Sequence, residues 1–436
     1  MRSLLPALAA LSSFALGCNG STPPTPLPEA PAASEAAAPT GAPVATGTVP
    51  AEPSTPEPTP LDEVARSNQL AARMHRAIVA KDQGNVFTSP TSLRLALGMV
   101  YVGAEGETAK QIASALSLSE PASATADAAK SERDAWAGLA SPAVELSVAN
   151  RLWGDKATKL EPGFLGLVGR GWGAPLEPVD FQGAQEPSRK AINAWVSKET
   201  KDRIPELLPQ GAITPLTRLV VTNAVYFKGK WQTPFDKALT TPRDFAAKAG
   251  AKKVPFMHQT GGFAYAEESD ARLVSIPYGP KGEVSMVIVL PKAVDGLAGI
   301  EARLSSTSFE AWSKALSEGS QRLELALPKL EMRWGGSVRP MLEALGMKKA
   351  FTDAAELEGI QKKGELKVTD VFHKTFVAID EVGTEAAAST GVVIGTRSMP
   401  APPTPFVVDR PFLFYLRDTQ KGRVLFLGRV VDPTAK

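Results

Sequence analysis

A single large mixed α+β domain is expected from residue 61 onward. Strand-like runs recur without the regular strand–helix alternation of a doubly wound sheet, and no repeat, linker or charge run breaks residues 61–433. The length, 436 residues, leaves room for one large or two ordinary domains. The net charge of +2 argues against a nucleic-acid binder. Three scattered histidines (His75, His258, His373) and one cysteine (Cys18) build neither a metal centre nor a disulfide framework. No metal and no cofactor are therefore expected, and packing must supply the stability.

The elements can be taken in order. Leu61, Val64, Ala65, Leu70, Met74, Ile78 and Val79 form a roughly helical apolar face that exits at Gly84. Ser89-Pro90 suits a helix start, with Ser89 capping a buried helix toward Tyr101. Gly103 to Thr108 reads as a turn, from which Thr108 caps another helix ending at Leu116. Val144 to Trp153 alternates as a strand, Ser188 to Glu199 reads as a polar-faced helix, and Thr200 to Leu208 as its capped exit. Arg218 to Lys228 is β-branched and apolar, as in a central strand. Of several strand-like runs between Lys253 and Pro291, Val284 to Leu290 is the strongest. Val338 to Leu345 reads as a helix closed by Gly346, and Val368 to Ile379 as a strand. Phe412 to Arg417 and Val424 to Val430 read as paired strands around Asp418–Gly422.

Two segments precede this domain. Arg2 and the apolar run from Leu4 to Leu16, too short to span a bilayer as a mature helix, end in Ala15-Leu16-Gly17-Cys18. Residues 1–18 resemble a bacterial lipoprotein signal in which Cys18 is lipidated, although Ala15 stands where such signals prefer Leu; a plain secretory signal is the alternative. Asn19 after the cysteine is not the inner-membrane-retaining Asp of similar lipoproteins, so a cell-envelope or extracellular site, lipid-anchored in the outer membrane, is expected. Residues 19–60, rich in Pro, Ala and Thr, form a tether rather than a domain. The globular domain is 61–436.

The stretch Glu381 to Ser398 is built differently from the rest. Its first half is almost free of bulky side chains, and the alternate residues Thr384, Ala386, Ala388 and Thr390 are all small. Such a segment cannot anchor a core of its own. It reads either as a flexible surface loop or as a loop that can become a strand, its small side chains fitting one face of a sheet.

Taken in order, the motifs resemble the serpins across about 63–433. Asn85-x-Phe-x-Ser89-Pro90-x-Ser92 with Gly103-Ala-x-Gly-x-Thr108 comes first, then Asn193-x-Trp-Val-x-x-x-Thr200. Asn223-Ala-Val-Tyr-Phe-Lys-Gly-Lys-Trp231 with Phe235, Pro328-Lys329 and His373-Lys374 follow. Glu381-x-Gly-Thr-Glu-Ala-Ala-Ala, Asp409-Arg-Pro-Phe-Leu-Phe and Leu425-Phe-x-Gly-Arg429 close the series. The resemblance implies a metastable fold of three β-sheets and eight or nine helices with an exposed reactive-centre loop. It also implies inhibition of a serine protease by strand insertion of that loop.

It implies roles for particular residues as well. Counting Glu381 as the first, the seventeenth residue is Arg397, which places the scissile bond at Arg397-Ser398 and implies a trypsin-like target. A register shifted by one would make Thr396 or Ser398 the bait. The hinge comprises Glu381, Gly383, Thr384, Glu385, Ala386, Ala387, Ala388, Ser389 and Thr390; by parity, Glu385 and Ser389 fall on the face opposite the inserted small residues. Ser89, Ser92, Asn223 and His373 match the "shutter" where the sheet parts; Trp231, Phe235 and Lys329 match the "breach" where the loop enters. Lys329 and Glu381 match an exposed ion pair worth about 0–1 kcal/mol. The protein is expected to be a monomer that touches the membrane through its lipid alone. With no Gly-x-Ser-x-Gly and no phosphate loop, no catalytic constellation is legible, and an enzyme is not expected. The rival reading is a non-inhibitory serpin acting as a binding or chaperone module.

Overall fold

The computed structural model describes residues 62–118, 121–173, 176–248, 250–362, 366–383 and 402–435, all within the compact unit Thr59–Lys436. The signal and tether, Cys18 included, lie outside the described residues, as do the loop residues Thr384–Thr390, Arg397 and Ser398. The first half contains α1 (Glu63–Val79), β1 (Val86–Thr88), α2 (Pro90–Tyr101), α3 (Gly106–Leu116), α4 (Ala122–Gly138), β2 (Val144–Asp155), α5 (Pro162–Trp172), β3 (Glu177–Val179), α6 (Gln185–Glu199) and β4 (Leu219–Gly229). There follow β5 (Thr241–Ala247), β6 (Gly250–Glu267), β7 (Ala271–Tyr278), β8 (Val284–Pro291), α7 (Leu297–Ala302), α8 (Ser306–Glu318), β9 (Ser320–Pro328), β10 (Leu330–Ser337) and α9 (Arg339–Ala344). The chain closes with β11 (Val371–Ile379), β12 (Thr404–Val407), β13 (Phe412–Asp418) and β14 (Val424–Val430).

The α+β class is as expected, with helices and long strands in no regular alternation. Among the described residues the strands form two hydrogen-bonded arrays where the resemblance implies three sheets. One has five strands in the order β10-β11-β4-β2-β3; the other has nine, β1-β14-β13-β8-β7-β6-β9-β12 with β5 on β6. The long strand β6 accounts for the difference in count. Its first residues pair β5, its middle pairs β9 and its end pairs β7, so one backbone joins what would otherwise be separate ladders.

The two arrays enclose an aromatic core in which Phe87 stacks between Phe414 (5.6 Å) and Phe426 (5.1 Å). Such pairs contribute about 0.5–1.5 kcal/mol each beyond the area they bury. β4 has apolar neighbours on both faces, which explains its nearly continuous apolar run. Val225 and Phe227 join the inner core, whereas Val220, Ala224 and Tyr226 pack under α6.

Ser89 caps α2 as expected, accepting the Ser92 N–H, and β13 and β14 pair around their turn. Thr108 is different: it lies inside α3 rather than capping it. Glu356 caps instead, its carboxylate accepting the Thr108 N–H at 2.9 Å while the Thr108 hydroxyl accepts the Glu356 N–H at 2.9 Å. The hydrogen bond from Lys349, then that from Thr108, holds the Glu356 carboxyl down at about 2. A negative charge at a helix N-terminus is the favourable arrangement. β11 starts at Val371 rather than Val368.

Candidate functional site: the seam between β4 and β11

β4 and β11 are neighbours in the middle of the five-stranded sheet and run parallel, with Val371 opposite Val221 and Phe376 opposite Tyr226. On their other sides β4 meets β2 and β11 meets β10 in antiparallel ladders. A parallel ladder is slightly the weaker of the two types. The registered pairing stops at Phe376–Tyr226, although β11 continues to Ile379 and β4 to Gly229. The seam is therefore closed along its length and unpaired at its upper end.

At mid-seam the structure brings Ser89, Ser92, Asn223 and His373 together. Strand alternation puts Asn223 on the inner face beside Val221 and Val225, and the parallel register puts His373 directly opposite it. The start of α2 supplies the serines. The Ser89 N–H donates to His373 Nε2 at 3.1 Å and the Ser89 hydroxyl to the Leu425 carbonyl at 2.9 Å. Asn223 Nδ2 donates to Ser92 Oγ at 2.6 Å and to Asn150 Oδ1; Asn150 Nδ2 in turn reaches the Ser92 carbonyl at 3.2 Å.

Asn150 and Thr375 belong to this cluster and were not singled out from sequence. Asn150 shares strand parity with Leu146 and Val148, and its polarity on that face was the available signal. Thr375 donates to the Phe87 carbonyl at 2.6 Å, a tie that only the three-dimensional register reveals.

His373 is fully buried, and accepting the Ser89 N–H requires Nε2 to be unprotonated. Burial drives its pKa down to about 4, with a backbone group of Asn223 opposing in part. The unfolded chain binds a proton near 6.5 that the folded protein refuses until about 4, so stability is complete above 6.5 and is lost as pH falls through that window. Thermal unfolding is expected to move to lower temperature between pH 6.5 and 4, with a shallower slope in His373→Gln. His75, also lowered by burial, and the carboxyls of Glu356 and Glu381, held below their ordinary range, contribute to the remaining slope. An identical slope in the variant would exclude His373 as a source.

At the upper end, Trp231 stacks on Tyr278 (centroids 4.3 Å apart) and meets Phe235 edge-on at 6.0 Å. Lys329 pairs with Glu381 at 2.8 Å, and Thr240 donates to the same carboxylate at 2.8 Å. The expectation of an exposed pair is corrected here: the Glu381 side chain is 5% exposed and that of Lys329 36%. Burial pushes the Glu381 carboxyl up, but the hydrogen bonds from Lys329 and Thr240 outweigh it and hold it below the ordinary range. Losing Lys329 would leave a buried carboxylate with neutral donors alone, a larger cost than breaking a surface pair. Thr240 carried no signal in the sequence. Among the described residues no group of three or more His, Cys, Asp or Glu could hold a metal ion, and no helix is long and apolar enough to cross a membrane.

Comparison with known proteins bears on the family and the fold. The family described as serpin (serine protease inhibitor) matches residues 65–433. Leukocyte elastase inhibitor A of Rattus norvegicus is 35% identical over 388 residues, covering 86% of this chain and all of that protein. Uncleaved ovalbumin is similar in structure with a TM-score of 0.77 and 27% identity, over 85% of this chain and 99% of that one. Serpin1 of Arabidopsis in its native stressed conformation has a TM-score of 0.76 and 28% identity, over 85% and 98%.

Proposed function

The chain belongs to the serpin family, whose members are generally protease inhibitors and not enzymes, and from that membership we propose that it is a suicide-substrate inhibitor of trypsin-like serine proteases. The observation that carries the reading is the seam. β11 pairs directly with β4, their pairing ends below the top of the sheet, and the chain leaves β11 into the small-residue stretch from Thr384 to Thr390. A strand of small side chains entering between β4 and β11 would find a hydrogen-bonding edge on each side.

In this mechanism the protease serine attacks the Arg397 carbonyl, and the bond to the Ser398 nitrogen breaks. The new amine leaves and an ester joins Arg397 to the protease. The freed loop then inserts between β4 and β11, drawing the protease along and pulling its catalytic groups away from the ester before water can cleave it. The inhibitor contributes a cleavable bond and conformational energy. Trp231, Phe235, Lys329 and Glu381 guard the point of insertion, and Ser89, Ser92, Asn223 and His373 hold the seam closed beneath it.

The rat relative is named as an elastase inhibitor; the trypsin-like target proposed here follows from Arg397 as the loop's basic residue. A lipid on Cys18 would hold the inhibitor at the outer membrane through the 19–60 tether. Cutting the loop is expected to raise the unfolding temperature well above that of the intact protein, as the added strand completes the sheet. Calorimetry before and after cleavage measures this. An unchanged transition would favour the non-inhibitory binding module.

A further inference from the structure

We propose that this inhibitor keeps the protease it captures on the membrane, because the tether between Cys18 and the folded body offers a trypsin-like enzyme no bond to cut; the inference rests on the readings of Cys18 as the lipid site and Arg397 as the bait. No lysine or arginine occurs between Arg2 and Arg66. Over the whole chain Lys and Arg (48) are as frequent as Asp and Glu (46), and the tether itself holds Glu29, Glu35, Glu52 and Glu57. Charge is admitted there in one sign alone. A trypsin-type pocket requires the missing sign, whereas an elastase-type pocket is small and takes small side chains. Ala36, Ala37, Ala38, Val44 and Val49 leave the tether open to the second class and closed to the first.

The structure closes the first basic site beyond the tether. Arg66 lies near the start of α1, where its N–H donates to the Asp62 carbonyl at 2.9 Å and its guanidinium to the Glu63 carboxylate at 2.9 Å. The next two residues, Ser67 and Asn68, are buried. Ser67 Oγ lies 3.3 Å from Thr91 Oγ1, and Asn68 donates to the Gly422 carbonyl at 3.0 Å while accepting the Val424 N–H at 2.9 Å. Proteases nick exposed, extended chain, so the Arg66–Ser67 bond is out of reach while α1 is folded. Which fragment carries the protease then decides where the protease stays. Attack at the Arg397 carbonyl joins the protease serine to the fragment that ends at Arg397, and that fragment begins at the lipid-bearing Cys18. The fragment from Ser398 contains β12, β13 and β14 and carries no protease. A cut in the tether would release the complex, and the tether denies that cut to the class of enzyme the bait selects.

The test uses membranes from cells that produce the full-length, lipid-bearing protein. They are incubated with excess trypsin and sedimented, and both fractions are probed on a denaturing gel for the band of combined mass. That band is expected in the pellet. Ala37→Arg should form the same complex at the same rate but release it into the supernatant, with tether cleavage faster by about a hundredfold or more. Ala37→Glu should remain in the pellet, and an elastase-type protease should release the wild-type body. Wild-type complex in the supernatant with its N-terminus cut between residues 19 and 66 overturns the proposal and leaves the inhibitor reading intact. Retention of Ala37→Arg, or a wild-type tether that resists elastase as well as trypsin, shows that these residues do not decide release and overturns it too. Protein already in the supernatant before trypsin is added overturns the anchor reading, and membrane-bound protein that gives no combined band overturns the inhibitor reading; the proposal falls with either.

Discussion

Arg397→Ala is expected to abolish trypsin inhibition, lowering the second-order rate of inactivation by about a hundred- to several thousandfold. A trypsin-type pocket presents a buried carboxylate to the side chain before the scissile bond. Withdrawing the guanidinium leaves that carboxylate desolvated and unpaired, which costs about 3–5 kcal/mol, and each 1.4 kcal/mol is about tenfold in rate. No other basic residue lies between Glu381 and Ser398 that could take over. On the reading of Arg397 as bait for the protease, thermal unfolding of intact Arg397→Ala should match wild type. Progress curves with a chromogenic substrate measure the rate. Retained inhibition would mean that the protease attacks another bond.

Thr384→Arg is expected to turn the inhibitor into a substrate. The variant should be acylated at the normal rate, because Arg397 is untouched, yet release active trypsin. Thr384 directly follows Gly383, whose position is fixed against Gly229 and Lys230, so in the proposed insertion it is the first side chain to enter the seam. On the small-residue face an arginine has to be buried without a partner, at a cost of several kcal/mol. Slower insertion lets water reach the ester first. The moles of inhibitor consumed per mole of protease should rise about tenfold or more, since 1.4 kcal/mol already shifts the competition by that factor. Thr384→Ser should behave as wild type. Normal covalent complex from Thr384→Arg would show that this residue does not enter the sheet.

Elements with strong local signals were legible in the sequence. Ser89-Pro90 ahead of an apolar run gave α2, and the uniform β-branched run gave β4, because cap chemistry and two-sided burial leave direct traces in residue choice. α4 and α5 left none. α5 contains Gly163, Gly166, Gly169 and Gly171, each unfavourable in a helix by about 1 kcal/mol. Close packing accounts for Gly171 alone, where a Cβ would meet the Ala126 carbonyl oxygen of α4 at 2.8 Å; at Gly163, Gly166 and Gly169 a Cβ would meet nothing within 4 Å, and packing does not explain them.

The seam divides in the same way. Ser89, Ser92, Asn223 and His373 stand in motifs and meet in space. Asn150 and Thr375 join them, and Thr240 joins Glu381 at the upper end, through strand register and side-chain reach, which no local pattern encodes. Asp380 is the clearest case: next to a recognisable glutamate it looks like one more surface acid, and only the structure shows its carboxylate accepting the Val382 and Gly383 N–H groups.

Trapping itself is tested most directly by mixing the protein with trypsin and running a denaturing gel. A band of the combined mass that survives boiling, with trypsin activity lost in proportion, is the expected result, since the proposed ester between protease serine and Arg397 would be covalent and the inserted loop would protect it. Clean cleavage at Arg397-Ser398 with no such band and full trypsin activity would contradict it, leaving a serpin whose loop is cut but never traps.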